Sequence, residues 1–334
     1  MNAEPAYNKG ITGKGVTIAV IDTGIDVNNS AFAGRISPDS TAKLSVDPTW
    51  SLQDVDGHGT AIAGLAAGAQ ANAPQGVAPG ATILAIKTVY SNTTGNTIVF
   101  NDESIEYALS KGAFVINASF GIGQRTTPIP NIEKLRTQNA LFIAAVSNTA
   151  GSDSYTGGLG QAVVGTDLAN KSWFLFAIDS GKTPSNNGNP GPLTDRTISV
   201  PITKGTAGGI DNSTIINLIG GGYGYSGGNS LATAAVAGAA ALLKQNWPQL
   251  GGKEISQIIL DTGDAPDSAR SVAAGNVSGF KMLNIGSALS AQAPTLTTAT
   301  TMSGTVFVPA QSGTSAAVTS NNGSLTTPVT NALT

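Results

Sequence analysis

Hydrophobic positions along the chain fall in short runs separated by polar, glycine-rich stretches. Val16 to Ile21 is a largely β-branched apolar run closed by Asp22-Thr23-Gly24, the pattern of a buried strand ending in a turn. Ala81 to Val89, Phe114 to Ser119 and Leu141 to Ser147 repeat it. Between them, Asp102 to Lys111 reads as a helix with acidic residues in its first turn, Lys111 in its last, and Gly112 as a C-terminal cap. Ile132 to Gln138 is a second, shorter helix candidate. Strands alternating with helices predict an α/β fold with a mainly parallel central sheet and helices on both faces. In such sheets, sites form outside the C-terminal ends of the strands.

Further on, Leu231 to Gln245 is an alanine-rich helix that includes Gly238 and stops before Trp247-Pro248. With almost no polar face it must lie buried against close neighbours. Lys253 to Thr262 carries Ile255, Ile258 and Ile259 on one face, with Gly263 as its expected cap. Met282-Leu283-Asn284-Ile285 reads as a short closing segment. The pattern then changes: no Asp, Glu, Lys or Arg occurs from Met282 to Thr334, and residues 290–334 hold 12 Thr and 6 Ser. This divides the chain into a body, 1–289, and an uncharged linker, stalk or start of a β-rich region, 290–334.

Composition narrows the function classes. The 334 residues are 40% hydrophobic, enough for a sizeable core in one large domain or two smaller ones. A net charge of −3 with no basic stripe argues against nucleic-acid binding. No apolar run reaches the roughly 18 residues that a membrane-spanning helix needs, so no membrane insertion is expected. Met1 to Pro5 shows neither a basic nor an apolar signal region. The absence of Cys excludes disulfides, thiolate nucleophiles and Cys-bound zinc. Low charge with abundant Gly, Ser, Thr and Ala points towards export, and a monomer is expected.

Four segments place a polar residue just past an apolar strand or at a helix start. They are Val20-Ile21-Asp22-Thr23-Gly24, Asp56-Gly57-His58-Gly59-Thr60, Ala144-Ala145-Val146-Ser147-Asn148 and Gly228-Asn229-Ser230-Leu231-Ala232-Thr233. Asp, His and Ser are the types that acyl transfer needs as orienter, base and nucleophile. Taken singly, each has an ordinary reading: Asp22 and Asn148 as turn residues, Ser230 as a helix cap. His58 is the single histidine of the chain, set between glycines at a helix start, and the joint pattern favours chemistry.

These segments resemble the signature regions of the subtilisin-like serine proteases, in that family's order of Asp, His and Ser. Other catalytic-triad families run these residues in different orders. Gly76-Val77-Ala78-Pro79-Gly80-Ala81 and Asn117-Ala118-Ser119-Phe120-Gly121 extend the resemblance, which covers residues 7 to 289. The Thr/Ser-rich tail is similar to bacterial autotransporter proteases of the family. The resemblance implies a three-layer sandwich and a serine endopeptidase acting on polypeptides, secreted or at a bacterial surface. It implies Ser230 as nucleophile, His58 as general base and acid, and Asp22 as orienter of the imidazole. Asn148 would complete the oxyanion hole with the Ser230 N–H, and Ser119, Phe120, Gly121, Ala145 and Ser147 would wall the substrate site. Phe120 and Ala145 there would favour an apolar residue before the cleaved bond.

Three positions depart from the family pattern. Asn229 replaces a usual Thr, Ala234 a usual Pro and Ser147 a usual Gly. Asn229 is expected still to cap its helix, and Ala234 to be tolerated as a good helix former. If position 147 needs a positive φ, Ser147 is strained and Asn148 misaimed. No cofactor is required for the chemistry. Structural calcium, common in the family, has no legible site: Asp26, Asp54 and Asp56 lack the ligand spacing of an EF-hand loop and read as turn and solvent-facing residues. An inactive, adhesin-like cleft and an enzyme that passes its acyl group to an amine are the alternatives.

Overall fold

The computed structural model describes residues 1–44, 49–69, 75–92, 95–98, 102–119, 132–148, 172–180, 188–202, 204–206, 209–211, 214–265 and 280–291. Among the described residues six strands form the central sheet: β1 (Thr17–Asp22), β2 (Thr82–Lys87), β5 (Val115–Ala118), β6 (Leu141–Ala145), β7 (Phe174–Asp179) and β8 (Thr197–Val200). Their order is β2-β1-β5-β6-β7-β8, and every pairing is parallel. Also among the described residues, three two-stranded antiparallel ribbons lie outside it: β3 (Val89–Asn92) with β4 (Gly95–Ile98), β9 (Lys204–Thr206) with β10 (Gly209–Asp211), and β11 (Thr214–Asn217) with β12 (Tyr223–Ser226).

Among the described residues the α-helices are α1 (Glu4–Asn8), α2 (His58–Ala67), α3 (Asp102–Ser110), α4 (Ile132–Thr137), α5 (Asn229–Asn246), α6 (Gly252–Asp261) and α7 (Ile285–Ser290). Strand residues alternate between two cores, as period-two geometry requires. Ile18, Val20, Val115, Leu141, Ile143 and Leu175 pack on one face with α2, α5 and α6. Ala19, Ile21, Ile116, Phe142 and Phe176 pack on the other, against Ile105 and Leu109 of α3 and Leu135 of α4. Sheet and covering helices thus form the layers that the strand–helix alternation predicts.

Helix α5 runs through the larger core with Leu231 to Leu243 buried, which explains a helix built of alanines: small side chains let it lie close to its neighbours. Gly238 marks the tightest point, where a Cβ would come within 2.6 Å of the Val77 Cβ and 2.8 Å of the Ala66 carbonyl on α2. The helix begins two residues before the expected Leu231, so Asn229 and Ser230 lie within its first turn. Gly112 follows α3 at φ +73°, as a left-handed cap should. Gly263 is no such cap: its φ is not positive, and a Cβ would meet Lys281 Cβ at 2.9 Å.

Strand order reverses at β1. The chain leaves β1 for β2 on one side, then returns to lay β5 on the other. The crevice at such a reversal, beyond the strand ends, is where open α/β sheets hold their ligands. Asp22 is the last residue of β1, and Ser119 stands just past β5. Residues 292–334 lie outside the described residues, as do Phe120 and Gly121.

Candidate active site

Asp22 is carried to the C-terminal end of the interior strand β1 and is 1% exposed. Its Oδ1 accepts the Thr23 N–H at 2.7 Å and lies 2.7 Å from Nδ1 of His58. His58 opens α2, whose start can lie against the end of β1 because position 59 is glycine: a Cβ there would come within 2.2 Å of the Gly24 carbonyl oxygen. The Gly59 N–H donates to Thr23 Oγ1 at 2.8 Å, which locks the helix start beside Asp22. Asp22 is the main cause that pushes the His58 imidazole up to about 9; burial opposes the shift, and Asp56 and Asp54 add to it.

Asp54 organises this junction. Its Oδ1 accepts the Thr23 hydroxyl and the N–H groups of Asp56 and Gly57, and its Oδ2 accepts the Thr60 N–H and hydroxyl, all at 2.7–3.0 Å. Burial alone would raise this carboxyl, but the hydrogen bonds from Gly57, Thr60 and Thr23 outweigh it and hold it below the ordinary 3.8. The expectation that Asp26 and Asp54 face solvent is therefore corrected: they are 3% and 1% exposed. Asp26 Oδ2 accepts the Gly220 N–H at 2.8 Å and its Oδ1 the Gln53 amide at 3.0 Å, tying the β11–β12 ribbon to the Asp22 loop. Asp56 alone of the three is exposed. Among the described residues no group of three or more His, Asp or Glu could hold a metal.

Asp54→Asn puts an NH₂ where one set of donors needs an acceptor. It should cost about 2–3 kcal/mol of stability. Because the folded carboxyl titrates below its unfolded value, this contribution is present above about pH 4 and is lost as pH falls through the folded pKa. Chemical denaturation of both forms from pH 7 to pH 3 should therefore show the gap closing only in acid. A gap independent of pH would contradict the assignment.

Ser230 occupies the first turn of α5, where backbone N–H groups lack intrahelical acceptors and the helix dipole favours negative charge. Its hydroxyl donates to the Ser119 carbonyl at 2.7 Å, so it is not a helix cap, and among the described residues no hydrogen bond joins it to His58. The Ser119 hydroxyl donates in turn to the Ser230 carbonyl at 2.8 Å and accepts from Asn117 Nδ2 at 2.9 Å. Ser119 is 1% exposed with its side chain turned to Ser230, so it can offer substrate only its backbone. Ala145 is 7% exposed at the end of β6.

Ser147 does not lie at positive φ, which removes the expected strain. Asn148 is exposed, and its Oδ1 accepts the Asn229 N–H at 3.1 Å. A planar amide anchored by its oxygen directs Nδ2 to the opposite side. The expectation that Asn229 caps α5 is also corrected. The N-cap is Gly228, without a side-chain bond, and the buried Asn229 side chain reaches the ends of β6 and β7 instead. Ala234 is fully buried within α5.

The sequence pattern announces neither Asp54 nor Asn229 in these roles, nor the buried Asp179 at the end of β7, whose N–H donates to Asn229 Oδ1 at 2.7 Å. For Asp179 a signal existed, since Phe174 to Asp179 repeats the strand-then-carboxylate pattern of Thr17 to Asp22.

Known proteins are similar to this chain over most of its length. Residues 13–277 match the Subtilase family. A thermophilic serine proteinase from Bacillus sp. (strain AK1) is 30% identical over 253 residues, covering 75% of this chain and 57% of that protein. Subtilisin Savinase from Lederbergia lenta is 28% identical over 282 residues, covering 83% of this chain and 94% of that one. A solved structure of proteases from Pseudoalteromonas arctica superposes with a TM-score of 0.65 at 20% identity, covering 86% of this chain and 93% of that one, a likeness of fold.

Proposed function

The chain belongs to the subtilase family of serine endopeptidases, and on that premise we propose that Ser230, His58 and Asp22 cleave peptide bonds through an acyl-enzyme. The observation that carries the reading is the buried Asp22 carboxylate 2.7 Å from His58 Nδ1. It fixes the tautomer in which Nε2 is a bare acceptor, as a general base must be. The Ser230 hydroxyl leaves the Ser119 carbonyl and hands its proton to Nε2 as Oγ bonds to the substrate carbonyl carbon. The oxyanion is received by the Ser230 N–H and Asn148 Nδ2. The imidazolium then protonates the leaving amine as the C–N bond breaks. Water repeats the sequence on the ester and regenerates Ser230. Asp22 stays ionised throughout and stabilises the imidazolium.

We further propose that the enzyme works outside the cell, in keeping with its few charges and its abundant Gly, Ser, Thr and Ala. Ala145 and Ser147, with Phe120 and Gly121 from outside the described residues, would line a site for an apolar residue. Among the described residues no helix is long and apolar enough to cross a membrane.

The test is intact-mass analysis after treatment with a fluorophosphonate, run beside Ser230→Ala. One adduct on the wild type and none on the variant is expected. A folded wild type that takes no adduct would sink the reading in favour of an inactive cleft. A labelled enzyme whose peptide products are ligated or cyclic would favour an amine as the second nucleophile.

A further inference from the structure

The residue before the nucleophile is fully buried, yet it carries a polar amide with every hydrogen-bonding end engaged. Asn229 Oδ1 accepts the Asp179 N–H at 2.7 Å, and Nδ2 donates to the Val146 and Ser147 carbonyls at 3.0 Å each. Its backbone N–H holds the Asn148 amide oxygen. An N–H on one side and two carbonyls on the other fix which end of the amide is which. Asp179, also 0% exposed, completes the arrangement: its Oδ2 accepts the Gly228 N–H at 3.1 Å and its Oδ1 the Ile202 N–H at 3.2 Å.

We propose that Asn229, anchored by Asp179, is a positioning residue that aims the oxyanion-stabilising Asn148 at the Ser230 reaction centre. The main chain leading to Asn148 hangs from the Asn229 side chain, and the Asn148 amide is oriented by the Asn229 backbone. The two proposed oxyanion donors, Ser230 N–H and Asn148 Nδ2, are therefore referenced to a single residue that neighbours one of them. An oxyanion donor works only within a few tenths of an ångström of its target, and an error of about 1 Å costs up to 100-fold in rate. A threonine at 229, the family's usual residue, has one hydroxyl proton and cannot donate to both carbonyls. Two of this chain's departures from the family pattern, Asn229 and Ser147, meet in one of these bonds.

The proposal rests on the reading of Ser230 and Asn148 given above, so its test carries that control. Steady-state kinetics on a peptide p-nitroanilide would compare wild type, Asn229→Ala, Asn148→Ala and the double variant, with thermal midpoints measured alongside. Asn229→Ala should lower kcat roughly 10- to 100-fold with KM changed less than about threefold, since the interaction matters in the transition state. The double variant should lie within about threefold of Asn148→Ala alone, because Asn229 acts through Asn148.

A folded Asn229→Ala with unchanged kcat and a lowered midpoint would reduce Asn229 to a packing residue and overturn the proposal, as would losses that multiply. If Asn229→Ala does not fold, Asn229→Thr is read by the same criteria. A folded wild type that neither turns over substrate nor takes a fluorophosphonate overturns the reading of the cleft, and this proposal with it. An active wild type with an indifferent Asn229 overturns this proposal alone.

Discussion

Ser230→Ala is expected to abolish peptide hydrolysis while leaving the fold unchanged. The substitution removes one oxygen and one hydrogen bond, to the Ser119 carbonyl, at a half-buried position. That bond is worth about 1 kcal/mol, and alanine's higher helix propensity returns a few tenths within α5. Against this small change stands the loss of the atom proposed to form the ester. In subtilisin itself, removing the serine costs about a million-fold in kcat, and we take that figure over rather than deduce it. His58→Ala should be similarly severe and the double variant little worse, because nucleophile and base act in one step. Rates on a peptide amide, with thermal midpoints beside them, would check this. A variant that still accumulates an acyl-enzyme, or losses that simply multiply, would remove Ser230 and His58 from a shared mechanism.

Asp22→Asn should lower kcat by about 10⁴-fold, the size of effect known for this exchange in an unrelated triad, by admitting the wrong imidazole tautomer. It should also move the pH profile. Catalysis needs neutral His58, and Asp22 pushes that group from 6.5 up to about 9, so kcat/KM should rise with pH along a limb above neutrality. Removing the carboxylate removes the main cause, and the limb should fall back towards 6.5. Stability runs the other way. A folded pKa raised above the unfolded one gives stability that is fully present below pH 6.5 and is lost as pH rises through about 9. Across that interval the wild type gains activity while losing this part of its stability, and Asp22→Asn should show neither trend. A limb that does not move would show that Asp22 does not set the charge of His58.

What the sequence made legible follows from range. Thr17 to Asp22 and Thr82 to Lys87 announce themselves because a strand buried on both faces must be continuously apolar. The bounds of α3 were readable from its charges and Gly112, which act within one turn. Thr197 to Val200 is short and half polar, with nothing in its local pattern to mark it as the sheet's last strand. Asp54 was misread because its partners, Thr23 and Thr60, converge on it only once α2 is docked on β1. Asn229 looked like a cap because capping is the local use of asparagine. Its actual bonds, to residues 50 and 83 positions away, exist only where β6, β7 and α5 meet. The orientation of the Ser230 hydroxyl towards Ser119 has the same non-local origin.

The two outermost described segments are fastened to each other. Asn2 Nδ2 donates to Asn284 Oδ1 across 282 positions, and the Ile285 N–H donates to the Met1 carbonyl. Gln245 Oε1, at the end of α5, gathers the backbone N–H groups of Thr12, Gly13 and Lys14 just before β1. These bonds cannot form until the later segment has been made. At ribosomal speeds of 5–20 residues per second, roughly 15 to 60 s separate the synthesis of Asn2 from that of Asn284. For that interval the first segment waits without its fastening to the last, and a parallel sheet of distant partners is slow to close even afterwards. Asp22, His58 and the proposed nucleophile Ser230 can therefore come together only after residues 1–230 have all been made.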